Sequence, residues 1–334
     1  MSTLEVDLLL VGAGPVGLYG AYYAGVRGLR TAVLDSLPEP GGQITAMYPE
    51  KPIYDVAGLP AVRGRDLVTG LLDQASQYAP TYLLGESATT LTRSGDGRWE
   101  VGTDLGGSVR CGAVVLTGGI GTFTPRPLPA GEEFLGRGLA YFVPSLADCQ
   151  DRDMVIVGGG DSACDWALAL QRIARTVTVV HRRKAFRAHK ATVAAVLACS
   201  ATVLVDAEVT AVLGADAVDA VEIVVKGEDG PRVLPCQRLV AALGFLADLG
   251  PVREWGLDLH DNRHVVVDSR MRTNLSGVYA AGDLVEYDGK VRLISVGFGE
   301  VATAVNNAAV DLDPQAQLFP GHSTDTPPVP VPAA

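Results

Sequence analysis

The chain has 334 residues, 48% of them hydrophobic and 39 of them glycine, with a formal net charge of −11. That length accommodates two domains with sizeable cores, and the glycine content fits a turn-rich α/β architecture rather than disorder. The acidic balance argues against a general nucleic-acid binder. No run of about 18 apolar residues escapes interruption by glycine, so no membrane span is expected.

Residues 1–7 hold two acids and no Lys or Arg, so the apolar run behind them lacks the basic n-region of a signal peptide. Residues 6–11 read as a strand that enters Gly12-Ala13-Gly14-Pro15-Val16-Gly17, then an apolar helical segment, then a second strand over residues 31–35. This is the βαβ opening of a dinucleotide-binding unit. Gly12 allows the tight turn, Gly14 lets backbone approach a pyrophosphate, and Gly17 lets the helix pack close to its strand. The helix N-terminus offers unpaired N–H groups to the diphosphate, and Asp35, closing the second strand, is placed to accept hydrogen bonds from ribose hydroxyls.

Residues 38–55 are dense in Pro and Gly and read as a long functional loop. Gly41 and Gly42 would let backbone approach a ligand. Gln43 and Tyr48 could offer an amide and an aromatic face to a flat ring, although Tyr48 reads equally well as a half-buried loop aromatic. An amphipathic helix is expected over residues 65–78, followed by short antiparallel strands at 81–88, 99–103 and 109–111. Residues 114–119 form a buried strand breaking into a Gly turn, and 121–127 look like a crossover between domains.

The chain then repeats its opening. A strand at 154–157 enters Gly158-Gly159-Gly160-Asp161-Ser162-Ala163, and a helix leads to a strand at 177–180 that ends on His181, at the same offset from the first glycine as Asp35. In place of the acid stand His181-Arg182-Arg183, with Arg187 close behind. An acid suits a free ribose 2′-OH, whereas guanidinium forks suit a 2′-phosphate. The first unit therefore reads as an FAD or NAD site and the second as an NADP site.

Strands at 207–212, 220–226 and 233–240 continue the second unit, and residues 239–244 repeat the form of 114–119, marking a return to the first domain. A strand at 265–268 follows. Asp283 then closes a strand at the C-terminal edge of the sheet, where open α/β sheets bind ligands; it also reads as a cap or turn acid. Gly297-Phe298-Gly299-Glu300 is expected to open a helix running to about residue 310, its dipole suited to negative charge. The tail, 311–334, ends in a Pro-Val run of PPII character, and His322 there reads as a solvated histidine. Five cysteines, at 111, 149, 164, 199 and 236, are odd in number and widely spaced, reading as thiols in a reducing cytosol rather than as a disulfide or zinc framework.

From residue 6 to residue 324 the chain resembles the thioredoxin-reductase-like flavoproteins, and within them the ferredoxin–NADP+ reductases. The resemblance rests on both glycine turns, on Gly41-Gly42-Gln43 with Met47-Tyr48-Pro49-Glu50-Lys51 and Tyr54-Asp55-Val56-Ala57-Gly58, and on Asp165-Trp166 and His181-Arg182-Arg183. It continues in Gly277-Val278-Tyr279-Ala280-Ala281-Gly282-Asp283, Leu293-Ile294, Gly297-Phe298-Gly299-Glu300 and Pro320-Gly321-His322-Ser323-Thr324. It implies an α/β fold of two Rossmann-like three-layer domains. The FAD domain would comprise 1–120 and 244–312, an inserted NADP domain 121–243, and a tail 313–334.

The resemblance places Gly12, Gly14, Val16, Gly17, Asp35, Gln43, Tyr48, Ala88, Phe123, Asp283 and Thr324 at FAD. Tyr48 would flank one face of the flavin, and His322, from the tail of a partner in a homodimer, the other. It places Gly158, Gly160, Asp161, Ser162, Arg182, Arg183 and Arg187 at NADP(H). Val16 stands where relatives often show Thr. A thioredoxin reductase of this type carries Cys-x-x-Cys before its second glycine turn, whereas residues 139–149 here contain Cys149 alone, so no internal redox disulfide can form.

The implied activity is hydride transfer from NADPH to FAD and single-electron transfer to ferredoxin, with no metal and no side-chain acid or base. Low-molecular-weight disulfide reduction and flavin-based redox sensing are the alternatives. Docking an acidic ferredoxin on this chain would call for a local basic patch, for which Arg126, Lys290 and Arg292 are the candidates.

Overall fold

The computed structural model describes residues 3–143 and 145–322, and of Phe123 the backbone alone. The chain divides into two compact units, Met1–Thr122 with Ala247–Ala334, and Phe123–Leu246. The two crossing segments, Thr122–Pro125 and Phe245–Asp248, pair as a two-stranded ribbon, which carries the division slightly beyond the boundaries at 120/121 and 243/244 that the sequence suggests.

The first unit is built on a five-stranded parallel sheet in the order Val278–Ala280, Ala113–Leu116, Leu8–Val11, Thr31–Asp35, Thr81–Leu84. Its inner strands are nearly continuous apolar runs and are buried along their length, as expected where both faces are covered. Helices α1 (Pro15–Val26) and α6 (Ile294–Leu312) pack against each other tightly enough that a Cβ on Gly20 would come within 2.7 Å of the Val301 side chain. A second sheet, Thr3–Glu5, Ser108–Cys111, Trp99–Thr103, Ala88–Arg93, contributes Trp99, Val101, Val109 and Cys111 to the same core. Helix α3 (Gly64–Ser76) and the short α2 (Gln43–Met47) enclose a smaller cluster of Leu18, Ile44, Val56, Leu67, Val68 and Leu71.

Three expectations for this unit are corrected. The segment 38–55 is not all loop. Gly41 and Gly42, at φ +110° and +57°, reverse the chain, the Thr45 hydroxyl donates to the Pro40 carbonyl, and burial of Ile44 secures α2; Pro52–Ile53 then pairs with Val62–Arg63. The expected strand at 81–88 is two elements. Gly85, at φ +73°, breaks it, so that Thr81–Leu84 joins the parallel sheet and only Ala88–Arg93 belongs to the antiparallel one. Helix α6 begins at Ile294, three residues before the expected opening, and therefore buries Gly297 and Glu300 within it.

The second unit is also three-layered. Its parallel sheet runs Leu139–Ala140, Arg238–Ala241, Asp153–Val157, Thr176–His181, Thr202–Val205. The alternation of strand side chains decides the layers. Met154 and Ile156 face a cluster with Trp166, Leu170 and Val196 of helices α4 (Asp161–Leu170) and α5 (Lys190–Ala198). Val155 and Val157 face Val209, Val221 and Ile223 of an antiparallel meander, Ala207–Gly214, Val218–Val225, Arg232–Pro235. The expected strand at 233–240 is thus split: after Pro235, Cys236 and Gln237 turn the chain, their amides donating to the Asp219 and Asp153 carbonyls, and Arg238–Ala241 enters the central sheet. Helix α5 and the strand Thr202–Val205 were not anticipated. Among the described residues no helix is long and apolar enough to cross a membrane.

Candidate nucleotide-binding sites

In the first unit the glycine turn sits between the end of Leu8–Val11 and the start of α1. Gly12 has φ +119°, and a Cβ there would lie 2.5 Å from the Thr117 carbonyl oxygen; at Gly17 it would lie 1.8 Å from the Gly12 oxygen. Both glycines are therefore required by the protein's own backbone. Gly14, the residue capping α1, is different: it has φ −68° and ψ 178°, and a Cβ on it would meet nothing within 4 Å. The open space at Gly14 leaves room for an anion at the N-terminus of α1.

Asp35 is bound into this turn. Its Oδ2 accepts the Ala13 amide at 2.5 Å and its Oδ1 the Leu37 amide at 2.8 Å. Burial raises its pKa, with the two backbone hydrogen bonds opposing. Each carboxylate oxygen keeps a further lone pair, so the group that orders the turn can also accept from ribose hydroxyls. The Gly41 amide donates to the Ala13 carbonyl at 2.8 Å, and a Cβ on Gly42 would stand 3.0 Å from Gly14 Cα, which brings α2 against the turn. Gln43 opens α2, with its side-chain nitrogen 3.3 Å from where a Cβ on Gly119 would be. Ala88 starts its strand just after Glu86, whose amide donates to the Asp35 carbonyl.

Tyr48 closes α2 and is half-buried; burial first, then the nearby charges of Asp283 and Asp55, push its phenol above the usual range. Asp283 lies on a 3-10 turn, Gly282–Leu284, directly after the strand Val278–Ala280. Burial raises its carboxyl, against the positive charges of Lys290 and Arg292. Val16 is explained by packing: its methyl groups contact the positions where Gly282 and Gly297 would carry a Cβ, at 3.3 and 2.5 Å, so this position wedges the first turn of α1 against α6.

Two supports escaped the sequence reading. Buried Thr117 donates from its hydroxyl to the Gly12 carbonyl at 2.8 Å, clamping the turn from the neighbouring strand. Glu300, buried on α6, accepts the Gly282 amide at 2.8 Å, the Tyr287 hydroxyl at 2.7 Å and Lys290 Nζ at 2.5 Å. The Lys290 side chain is only 1% exposed, and Arg292 is paired with Glu286 at 2.5 Å. The expectation that Lys290 is available as a docking cation is corrected accordingly, since its charge is buried against Glu300; Arg292 stays exposed at the surface beside Glu286.

The second unit repeats the turn. A Cβ on Gly158 would lie 2.4 Å from the Ala242 oxygen, the counterpart of Gly12 and Thr117, while a Cβ on Gly160, which caps α4, would again meet nothing within 4 Å. Ala163, fully buried, takes the place of the third glycine. Ser162 is exposed at the first turn of α4, and the Asp161 carboxylate accepts the His189 amide at 2.9 Å.

His181 does not substitute for the acid. Its ring lies under Gly159, 2.2 Å from where a Cβ would be, stacks on Phe186 at 4.9 Å and engages the Ala185 carbonyl through Nε2 at 3.1 Å. With the Arg187 amide donating to the Gly159 carbonyl at 2.7 Å, the loop is folded back on the glycine turn. The side chains of Arg182, Arg183 and Arg187 are left exposed, their guanidinium groups with no hydrogen-bond or ion-pair partner among the described residues.

The tail is tied to the first unit by Arg27, at the end of α1, whose guanidinium donates to Asn306 Oδ1 at 2.9 Å and to the Gln317 and Leu318 carbonyls at 2.8 and 3.3 Å. Beyond this tie the exposed His322 ring meets Phe319 edge-on at 5.1 Å. Phe123 lies on the crossing strand, and Thr324 lies outside the described residues.

The family model described as pyridine nucleotide-disulphide oxidoreductase matches residues 6–308. A ferredoxin–NADP reductase of Nocardioides sp. is 61% identical over 327 residues, covering 97% of this chain and 98% of its own. One of Salinispora tropica is 63% identical over 321 residues, covering 96% and 99%. Among solved structures, thioredoxin reductase of T. acidophilum superposes with a TM-score of 0.74 at 23% identity, covering 92% of this chain and 98% of that one, a likeness of fold. With two glycine turns, an acid closing the second strand of the first βαβ unit and exposed arginines after that of the second, the chain belongs to the pyridine nucleotide-disulphide oxidoreductases, in the branch of thioredoxin-reductase-like ferredoxin–NADP reductases.

Proposed function

We propose that this protein carries electrons between NADPH and a ferredoxin, with FAD held by the first unit and NADP(H) by the second. The observation that carries the assignment of sites is the contrast at the two ribose positions. Asp35 is a carboxylate already ordered by two amides, whereas Arg182, Arg183 and Arg187 present exposed guanidinium groups without partners among the described residues. A carboxylate repels a 2′-phosphate, and an arginine cluster attracts one.

FAD when bound supplies the conversion between two-electron and one-electron transfer. The chain's own residues bind and orient. Gly12 and Gly14 admit a diphosphate to the N-terminus of α1, Asp35 accepts from a ribose, and Gln43 and Asp283 face the remaining length of the cofactor. The N-terminus of α6 favours negative charge developing beside it. Tyr48 covers one face of the ring system. Because the sequence contains no Cys-x-x-Cys, electrons leave the flavin without passing through a protein disulfide.

His322 serves the opposite face in a second copy of the chain, forming a homodimer with exchanged tails. The Arg27 tie supports this arrangement: it holds the 317 and 318 carbonyls beside the C-terminal end of α1, whereas the glycine turn is at the other end, about 18 Å away along a twelve-residue helix. Truncation before Gly321 is expected to speed or slow NADPH-to-ferredoxin turnover severalfold, because nicotinamide must displace a covering ring; unchanged stopped-flow kinetics would refute the covering role. A cytosolic location is supported by the five widely spaced free cysteines.

The test of the whole reading is an anaerobic mixing experiment. Purified protein should be bleached rapidly by NADPH and slowly by NADH, and should then reduce an added low-potential ferredoxin. Bleaching without onward transfer would turn the reading toward low-molecular-weight disulfide reduction, and no bleaching would leave redox sensing.

A further inference from the structure

The pair Lys290–Glu300 is costly to bury and is not required to fill space. The two side chains are 1% and 5% exposed, and a well-packed apolar pair of similar volume would serve stability as well or better, since taking two charges out of water offsets much of their attraction. What an apolar pair cannot do is accept hydrogen bonds. Glu300 Oε2 accepts the Gly282 amide at 2.8 Å, while its Oε1 is held by the Tyr287 hydroxyl and by Lys290.

The lysine is delivered by a tight turn. Its amide donates to the Tyr287 carbonyl at 3.1 Å, Gly289 takes φ +83°, and Nζ lies 5.6 Å from the centre of the Tyr287 ring. Gly282, at φ +84°, is thus fixed from two sides, by Glu300 through its amide and by the Val16 methyl groups, 3.3 Å from where its Cβ would be. The next residue is Asp283. The same clamp joins the second turn of α6 to the residues that precede its first turn.

We propose that Lys290 and Glu300 are a positioning pair for the flavin: the carboxylate fixes the Gly282 amide, and through it the Asp283 side chain and the N-terminus of α6, while the lysine holds that carboxylate in place. The inference rests on the reading that the first unit holds FAD against Asp283. The charged and titratable groups facing this cluster are Asp283 itself, His264, Tyr287 and the Arg292–Glu286 pair.

Two double variants separate positioning from stability. Lys290→Met/Glu300→Gln removes both charges and keeps an acceptor for Gly282; Lys290→Met/Glu300→Leu removes both charges and the acceptor. Apoproteins are titrated with FAD, and the midpoint potential of the bound flavin is measured by dye equilibration. The leucine variant is expected to bind FAD about tenfold or more weakly, the size of one lost hydrogen bond to a charged group, with the potential moved to more negative values as the α6 N-terminus loosens. The glutamine variant is expected within about threefold of wild type, on the same scale.

Wild-type affinity and potential in both variants, or equal losses in both, would overturn the proposal. If the leucine variant is insoluble, Tyr287→Phe deletes one donor to the same carboxylate: a weaker FAD Kd and a more negative potential support the proposal, and wild-type values overturn it. If wild-type apoprotein takes up no FAD, it is the cofactor assignment that fails.

Discussion

Gly14→Val is expected to yield a folded, colourless protein. A Cβ at Gly14 meets nothing within 4 Å and the residue has φ −68°, so the apoprotein accommodates a side chain there without strain. The branched methyl groups would occupy the space over the α1 N-terminus that a diphosphate needs. FAD affinity should fall more than about a hundredfold, close to 3 kcal/mol, while thermal unfolding of the apoprotein stays near that of wild-type apoprotein. Gly17→Ala is the contrasting control: its Cβ would lie 1.8 Å from the Gly12 oxygen, so it should fail at folding rather than at binding. A yellow Gly14→Val protein with wild-type FAD affinity would show that the diphosphate lies elsewhere.

The second large effect is expected from the arginine loop. Arg182→Ala/Arg183→Ala removes two exposed guanidinium groups that have no hydrogen-bond or ion-pair partner among the described residues, so stability should hardly change. Each charge-assisted bond to a phosphate contributes roughly 1.5–3 kcal/mol. Neighbouring contributions are not fully additive, and about 3 kcal/mol for the pair is a fair expectation, or a hundredfold to a few hundredfold in NADPH Kd. NADH, which lacks the 2′-phosphate, should bind within about threefold of its wild-type affinity, a margin set by long-range charge alone. Titrations of the two nucleotides against wild-type and variant protein measure this directly. An equal loss for both would place the arginines at the diphosphate or outside the site.

His181 bears on the design of that experiment. It sits in the acid's sequence position, yet its ring is buried between Gly159 and Phe186 and bonds the Ala185 carbonyl. Its substitution would disturb the loop that carries all three arginines, and would not report on the phosphate alone.

Local chemistry was sufficient to read the glycine turns, Asp35 and the arginine cluster, because each acts through backbone conformation or charge over a few adjacent residues. The doubling of the turn revealed two nucleotide units, and the lone Cys149 excluded an internal disulfide. Tertiary structure alone decided the rest. Short apolar runs look alike in parallel and antiparallel sheets, so the division of 81–88 at Gly85, and of 233–240 at Cys236 and Gln237, depended on which strand was available to pair. Lys290 looked like a surface cation and proved to be buried against Glu300, a pairing across ten residues that no helical or strand period encodes. Thr117 and Val16 acquire their roles from groups more than a hundred residues away, at Gly12, Gly282 and Gly297. Sequence determines what each side chain and each turn can do; only the packing of distant segments determines which charges are committed inside the protein and which, like the three arginines, are left exposed.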